Sequence, residues 1–214
     1  MKVTDGILKL DCTKGGYVYA IICGDGVTLI DTGMPGKGAA ILAELAAAGI
    51  KPDDVKKILL THHDVDHIGS AAFLQEKTGC KIYISELDYP YVMEGRKRDG
   101  LKAVFSALMK PVKPKEVIKI TGDKIDEISV LPTPGHTMGH TAFRFKNAIF
   151  CGDLIRSSSG KFRTSPAIMN KDKAVQQNSI KTLPVEGVKW FCMAHGEPLE
   201  ADGWAAFVKT MGTV

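Results

Sequence analysis

The chain has 214 residues, 44% of them apolar and 24% charged, with a net charge of +4. This is enough for a well-buried core in one or two domains, at roughly 150 residues per domain, and so mild a charge does not by itself call for nucleic acid. No apolar run approaches the roughly 18 residues of a membrane span, and the start MKVTDGILKLD, with early acids and no long apolar stretch, does not read as a signal peptide.

The apolar segments in chain order predict a mixed architecture. Residues 17–33 (YVYAIICGDGVTLIDTG) read as two strands joined at Gly24-Asp25-Gly26. Residues 38–48 read as a helix ending at Gly49, 55–60 as a short buried strand, 71–78 as a helix closed by Gly79, and 81–84 as another strand. Residues 86–115 differ, with basic clusters and prolines; they read as helix and loop, either covering the core or forming a lid. Strands return at 117–120 and 128–131, then a hairpin at 141–145 and 148–151 turning at Lys146-Asn147. A helix at 172–183, a strand at 188–193 and a helix at 204–211 complete the pattern. About a dozen strands with interspersed helices and no repeat or linker predict one α/β domain over residues 1–214.

The stretch LLTHHDVDHIGS, residues 59–70, crowds histidine and aspartate directly after an apolar strand. If the chain stays extended, side chains alternate, so His62, Asp64 and Asp66 share a side while His63 points away. His67 begins a turn and can swing to join the set. Imidazole and carboxylate together suit zinc, iron or manganese. Gly69 lets the next helix start close by. The other histidines sit in two short places, His136 and His140 in PTPGHTMGH and His195 in CMAHGEP, and Asp153 follows an apolar strand in IFCGDL. Donors at strand ends beside glycine mark backbones converging on one sheet edge.

The ordered motifs DTG (31–33), H-x-D-x-D-H (62–67), PGHTMGH (134–140), GD (152–153) and HG (195–196) resemble the metallo-β-lactamase superfamily over nearly the whole chain. The resemblance implies a four-layer αβ/βα sandwich of two mixed sheets flanked by helices, with two divalent metal ions in its cleft. It implies that His62, Asp64 and His136 hold the first ion, that Asp66, His67 and His195 hold the second, and that Asp153 bridges them. Asp31 resembles the family aspartate that orients ligands, and His140 the histidine that does not ligate. Family habit makes the ions zinc. The hydrolytic branches, however, show H-x-H-x-D-H, and Asp64 here replaces the second histidine, a harder donor that makes iron or manganese plausible.

The function this implies is hydrolysis of a small ester, thioester or lactone by a hydroxide bridging the binuclear site, with Asp66 and Asp153 as its catalytic carboxylates. One alternative is an iron-dependent oxidoreductase resembling the flavodiiron enzymes, whose attached flavodoxin-like domain has no room within these 214 residues. Another is a nuclease or phosphodiesterase, although the basic stretches lack the aromatic interleaving of single-strand readers. Arg156, Lys161 and Arg163 lie where the glyoxalase II branch holds a glutathione carboxylate, but solvated surface charge is the commoner explanation for such residues. LIDTG occurs once, whereas an aspartic protease needs two such aspartates, and GMPGKGAA lacks the spacing of a phosphate loop. Five scattered cysteines, never spaced CxxC, predict no disulfide framework and a reducing, cytoplasmic setting. The expected partner is a small-molecule substrate, with neither membrane nor nucleic acid.

Overall fold

The computed structural model describes residues 1–24 and 26–211, so Asp25 of the expected turn lies outside the described residues. The chain divides into two compact units, Met1–Ile120 and Thr121–Val214.

In the first unit, short apolar runs pair with their sequence neighbours. β1 (Lys2–Thr4), β2 (Ile7–Leu10), β3 (Val18–Cys23) and β4 (Gly26–Ile30) form an antiparallel meander. β5 (Val55–Leu59), β6 (Lys81–Ser85) and β7 (Ile118–Ile120) then add in parallel, giving a seven-stranded mixed sheet among the described residues. Parallel neighbours require crossovers, and helices supply them. α1 (Gly38–Ala47) links β4 to β5, while α2 (Val65–Ile68) and α3 (Ala71–Thr78) link β5 to β6. α4 (Tyr89–Met93) and α5 (Gly100–Met109) link β6 to β7. α1 buries Gly38, Ile41 and Leu45, one face at helical spacing. α3 ends, as its sequence predicts, on a left-handed Gly79 with φ of 69°.

Glu44 on α1 ties that helix to the end of β2. Its carboxylate accepts from the backbone N–H groups of Asp11 and Cys12 at 2.8 and 2.9 Å. Burial pushes this carboxyl up, but the bonds from Cys12 and Asp11 outweigh it and hold it below its ordinary value. A depressed carboxylate contributes stability above its unfolded pKa and loses it as pH falls through the folded one. Glu44→Gln is therefore expected to flatten the acid limb of the stability profile, read by urea unfolding at about pH 7 and about pH 3.

The second unit holds a six-stranded sheet among its described residues, ordered β15-β14-β11-β10-β9-β8 in chain numbering. These strands are β8 (Lys124–Ile125), β9 (Ile128–Pro132), β10 (Thr141–Phe145), β11 (Ala148–Gly152), β14 (Trp190–Met193) and β15 (Leu199–Glu200). β11 and β14 are parallel and the other pairs antiparallel. α6 (Lys173–Lys181) starts on Asp172, whose side chain accepts from Val175 N–H at 3.0 Å. α7 (Trp204–Lys209) sets Trp204 flat on Phe191, ring centroids 4.4 Å apart, with Phe162 edge-on to both.

The predicted elements all appear, with ends shifted by a few residues. β1, β2, β8 and β15 escaped the pattern reading because they are two to four residues long. The basic stretch after Asp153 is a separate two-stranded ribbon, β12 (Ile155–Ser158) and β13 (Lys161–Thr164), with Arg156 opposite Arg163. The five cysteines are free thiols. Among the described residues no helix is long and apolar enough to cross a membrane.

Candidate metal centre

In the first unit Ile30 lies opposite Leu59 across parallel strands, so the loops after β4 and β5 begin at one sheet edge. Asp31 opens the first loop with φ of 63°, a left-handed conformation uncommon outside glycine. Its carboxylate explains why the backbone is held there. It accepts from Thr61 N–H, from Thr61 Oγ1 and from His67 Nδ1, each at 2.8 Å.

These bonds assign the imidazole protons. A carboxylate only accepts, so Thr61 Oγ1 and His67 Nδ1 donate to Asp31. With its hydrogen committed, Thr61 Oγ1 accepts from His62 Nδ1 at 3.0 Å. With Nδ1 committed in both rings, a neutral imidazole presents its lone pair at Nε2. His62 Nε2 faces Asp64 Oδ2 at 3.4 Å, and His67 Nε2 faces Asp66 Oδ2 at 3.7 Å. The two rings are 4.0 Å apart. Lone pairs directed at carboxylate oxygens repel unless a cation lies among them, so this donor set fits a metal ion.

The route to this grouping differs from simple alternation. Asp66 is not on an extended chain: Asp64 is the last residue in a β conformation, and Asp66 and His67 come from the first turn of α2. His63 does turn aside, but into a buried cage. Its ring stacks on Tyr91 with centroids 4.0 Å apart, and Nδ1 lies 3.0 Å from Asp88 Oδ2. Asp88 also accepts from His63 N–H at 3.1 Å, and Arg98 donates to the His63 carbonyl. Burial holds the Arg98 guanidinium below its ordinary pKa. Lys102 of α5 places Nζ 2.6 Å from Asp64 Oδ2.

Asp88 and Lys102 were not singled out by sequence reasoning, and Arg98 counted only among the basic residues that give 86–115 a positive rim. Asp88 had one available signal, since it follows a parallel strand as Asp31 and His62 do. Lys102 had none beyond membership of a basic stretch. His63→Ala is expected to leave metal content intact while lowering stability by about 1–3 kcal/mol, because the stack on Tyr91 and the close approach to the buried Asp88 carboxylate are removed. Urea unfolding and metal analysis on the same preparation check both halves of that statement.

In the second unit Asp153 follows β11, and each of its oxygens meets an imidazole. Oδ2 lies 3.3 Å from His136 Nε2 and Oδ1 lies 3.2 Å from His195 Nε2. His136 Nδ1 lies 3.0 Å from Asn170 Oδ1, whose amide nitrogen donates to Gln176 Oε1 at 2.6 Å. The amide oxygen therefore accepts from Nδ1–H, which leaves His136 Nε2 facing the carboxylate. His140 is arranged differently. Its Nε2 accepts the backbone N–H of Asp153 at 3.1 Å and its Nδ1 meets Thr133 Oγ1 at 2.8 Å, so it holds Asp153 in place. Ser165 and Gln176 donate to the Asp153 carbonyl. His195 is a third exposed, unlike the buried His136. Burial pushes the Cys151 thiol far above its ordinary pKa, which marks it as a packing residue rather than a nucleophile.

Residues 14–195 match the family model described as the metallo-beta-lactamase superfamily. A hydroxyacylglutathione hydrolase of Dechloromonas aromatica is 30% identical over 173 residues, 80% of this chain and 55% of that protein. A probable metallo-hydrolase of Methanocaldococcus jannaschii is 30% identical over 159 residues, 70% of this chain and 72% of that protein. The chain spans about half the length of the hydroxyacylglutathione hydrolases it matches. Among solved structures, a metallo-beta-lactamase family protein of Thermus thermophilus has a TM-score of 0.76 at 18% identity, covering 98% of this chain and 80% of that one. An archaeal superfamily protein of Sulfolobus tokodaii has a TM-score of 0.74 at 19% identity, covering 97% and 86%. The two mixed sheets with their helices have the metallo-beta-lactamase fold.

Proposed function

The chain belongs to the metallo-beta-lactamase superfamily, and from that premise we propose that it is a metal-dependent hydrolase of a small ester, thioester or lactone. In this reading the chain would hold two divalent ions. His62, Asp64 and His136 hold one, Asp66, His67 and His195 hold the other, and Asp153 serves both. The observation that carries the reading is the anchoring of His62, His67 and His136 through Nδ1, which leaves each Nε2 facing a carboxylate.

When bound, the ions supply Lewis acidity, making water nucleophilic near neutral pH and stabilising negative charge that develops on a carbonyl oxygen. The chain supplies orientation. Asp31 holds Thr61 and His67, Thr61 in turn holds His62, and Asn170 and His140 fix His136 and Asp153. Such supporting bonds govern affinity nearly as strongly as the ligands do. In this reading Asp66 and Asp153 would supply the carboxylates that take up the proton of the attacking water.

The test begins with metal-free protein reloaded with zinc, manganese or iron and assayed on lactones, thioesters, phosphodiesters and β-lactams. His62→Ala and His136→Ala are compared by metal titration. Loss of the same binding step in both variants is expected; loss of different steps would refute the shared position. Asp64, a harder donor than histidine, favours the second reading, an iron-dependent oxidoreductase. Oxygen uptake by iron-loaded protein would support it, whereas ester turnover without oxygen supports hydrolysis. Turnover of phosphodiesters alone would select the nuclease or phosphodiesterase reading.

A further inference from the structure

We propose that Lys102 is a built-in rival of the metal for Asp64, and that it sets the affinity of the His62–Asp64 position well below that of the Asp66–His67 position. The inference rests on the two-ion reading above and concerns how unequally the two positions fill.

The geometry centres on one oxygen. Asp64 Oδ2 faces His62 Nε2 at 3.4 Å, within the span of two metal–ligand bonds of about 2 Å each. Lys102 Nζ lies 2.6 Å from the same Oδ2. An ion held between His62 and Asp64 would share that oxygen with an ammonium group. The side chains of Asp64 and Lys102 are only 7% and 14% exposed, so water and salt screen the repulsion weakly.

Lys102 is not a loose surface chain that happens to swing inward. Ser106, one turn further along α5, accepts from Arg98 Nη1 at 3.0 Å, and Arg98 also donates to the carbonyl of His63, the residue before Asp64. Arg98, just before α5, therefore ties Ser106 of the helix to the loop that carries Asp64. Its other face is apolar and open to solvent, with Leu108 72% exposed. The lysine is thus directed at Asp64 by the way α5 is mounted.

The neighbouring position has the opposite surroundings. His67 is backed by the Asp31 carboxylate at 2.8 Å, which adds negative charge behind the ring and strengthens its nitrogen as a donor. Asp31 reaches His62 only through Thr61, so its direct contact falls on His67 while the extra cation falls on Asp64. Asp64 paired with Lys102 is also close to neutral as a unit, like the histidine it replaces.

The experiment is a zinc titration of metal-free full-length protein, followed by calorimetry and by native mass spectrometry. The wild type is expected to bind zinc in two steps, the second at least about 30-fold weaker, about 2 kcal/mol. Lys102→Met should tighten the weaker step at least tenfold and move the stronger step less than about threefold. Lys102→Arg, which keeps the charge, should retain the weak step. Should the methionine variant fail to fold, Lys102→Gln is titrated instead. Equal steps in the wild type, or a weak step unmoved by removing the charge, would overturn the proposal. A wild type that binds no zinc would instead sink the metal-centre reading itself.

Discussion

Asp153→Ala is expected to lose bound metal and hydrolytic turnover together, with kcat/KM falling on the order of 10³-fold. The size of the effect follows from the position of the carboxylate. Its two oxygens face two different imidazoles, His136 at 3.3 Å and His195 at 3.2 Å, so removing it weakens both donor groups of its unit at once. Local collapse is not the expected cause, because the backbone at this residue is held independently. Its N–H donates to His140, and its carbonyl accepts from Ser165 and Gln176. The variant should therefore unfold close to the wild type when both are compared without metal. Elemental analysis of purified protein beside ester turnover checks the claim. A full complement of metal in an inactive variant would mean that Asp153 acts in chemistry and not in binding.

Gly69→Ala is expected to destabilise the first unit by about 3 kcal/mol or more, at the upper end of overpacking effects. A Cβ at this position would stand 2.2 Å from Pro35 N and 2.4 Å from Met34 C, both main-chain atoms that no rotamer change can move. The opposing loop cannot easily retreat. Gly69 N–H donates to the Gly33 carbonyl at 3.0 Å, Thr32 N–H to the His67 carbonyl at 2.8 Å, and Ser70 Oγ to the Met34 carbonyl at 2.7 Å. Since α2 carries Asp66 and His67, backing away from the clash would displace both donors, and metal affinity should fall with stability. Gly122→Ala is the control: nothing but the Lys124 carbonyl lies within reach of its Cβ, at 3.9 Å. It should stay within about 0.5 kcal/mol. Urea unfolding of both variants decides the matter, and a Gly69→Ala protein as stable as the wild type would show that the two loops are not in register.

Much of this was readable from local pattern. Residues 71–78 with a following glycine became α3, because helical spacing and a left-handed cap are properties of consecutive residues. The hairpin at Lys146-Asn147 formed for the same reason. The donor types were readable too, since histidines and aspartates concentrated after apolar strands have few other uses. The ribbon after Asp153 was not, because Arg156, Ser157 and Ser158 show no apolar alternation; part of its support comes from Ser157 N–H donating to the distant His195 carbonyl.

The amino-acid sequence by itself determined the family, the two-sheet fold class and the chemistry of the donors, since each is carried by short motifs whose meaning survives without long-range information. Only the tertiary structure decided which imidazole nitrogen is anchored, that His63 belongs to a cage with Asp88 and Tyr91, and that Lys102 bears on Asp64. Those pairings join residues tens of positions apart, brought together by crossovers between parallel strands. No spacing along the chain encodes where a returning helix will set its charge.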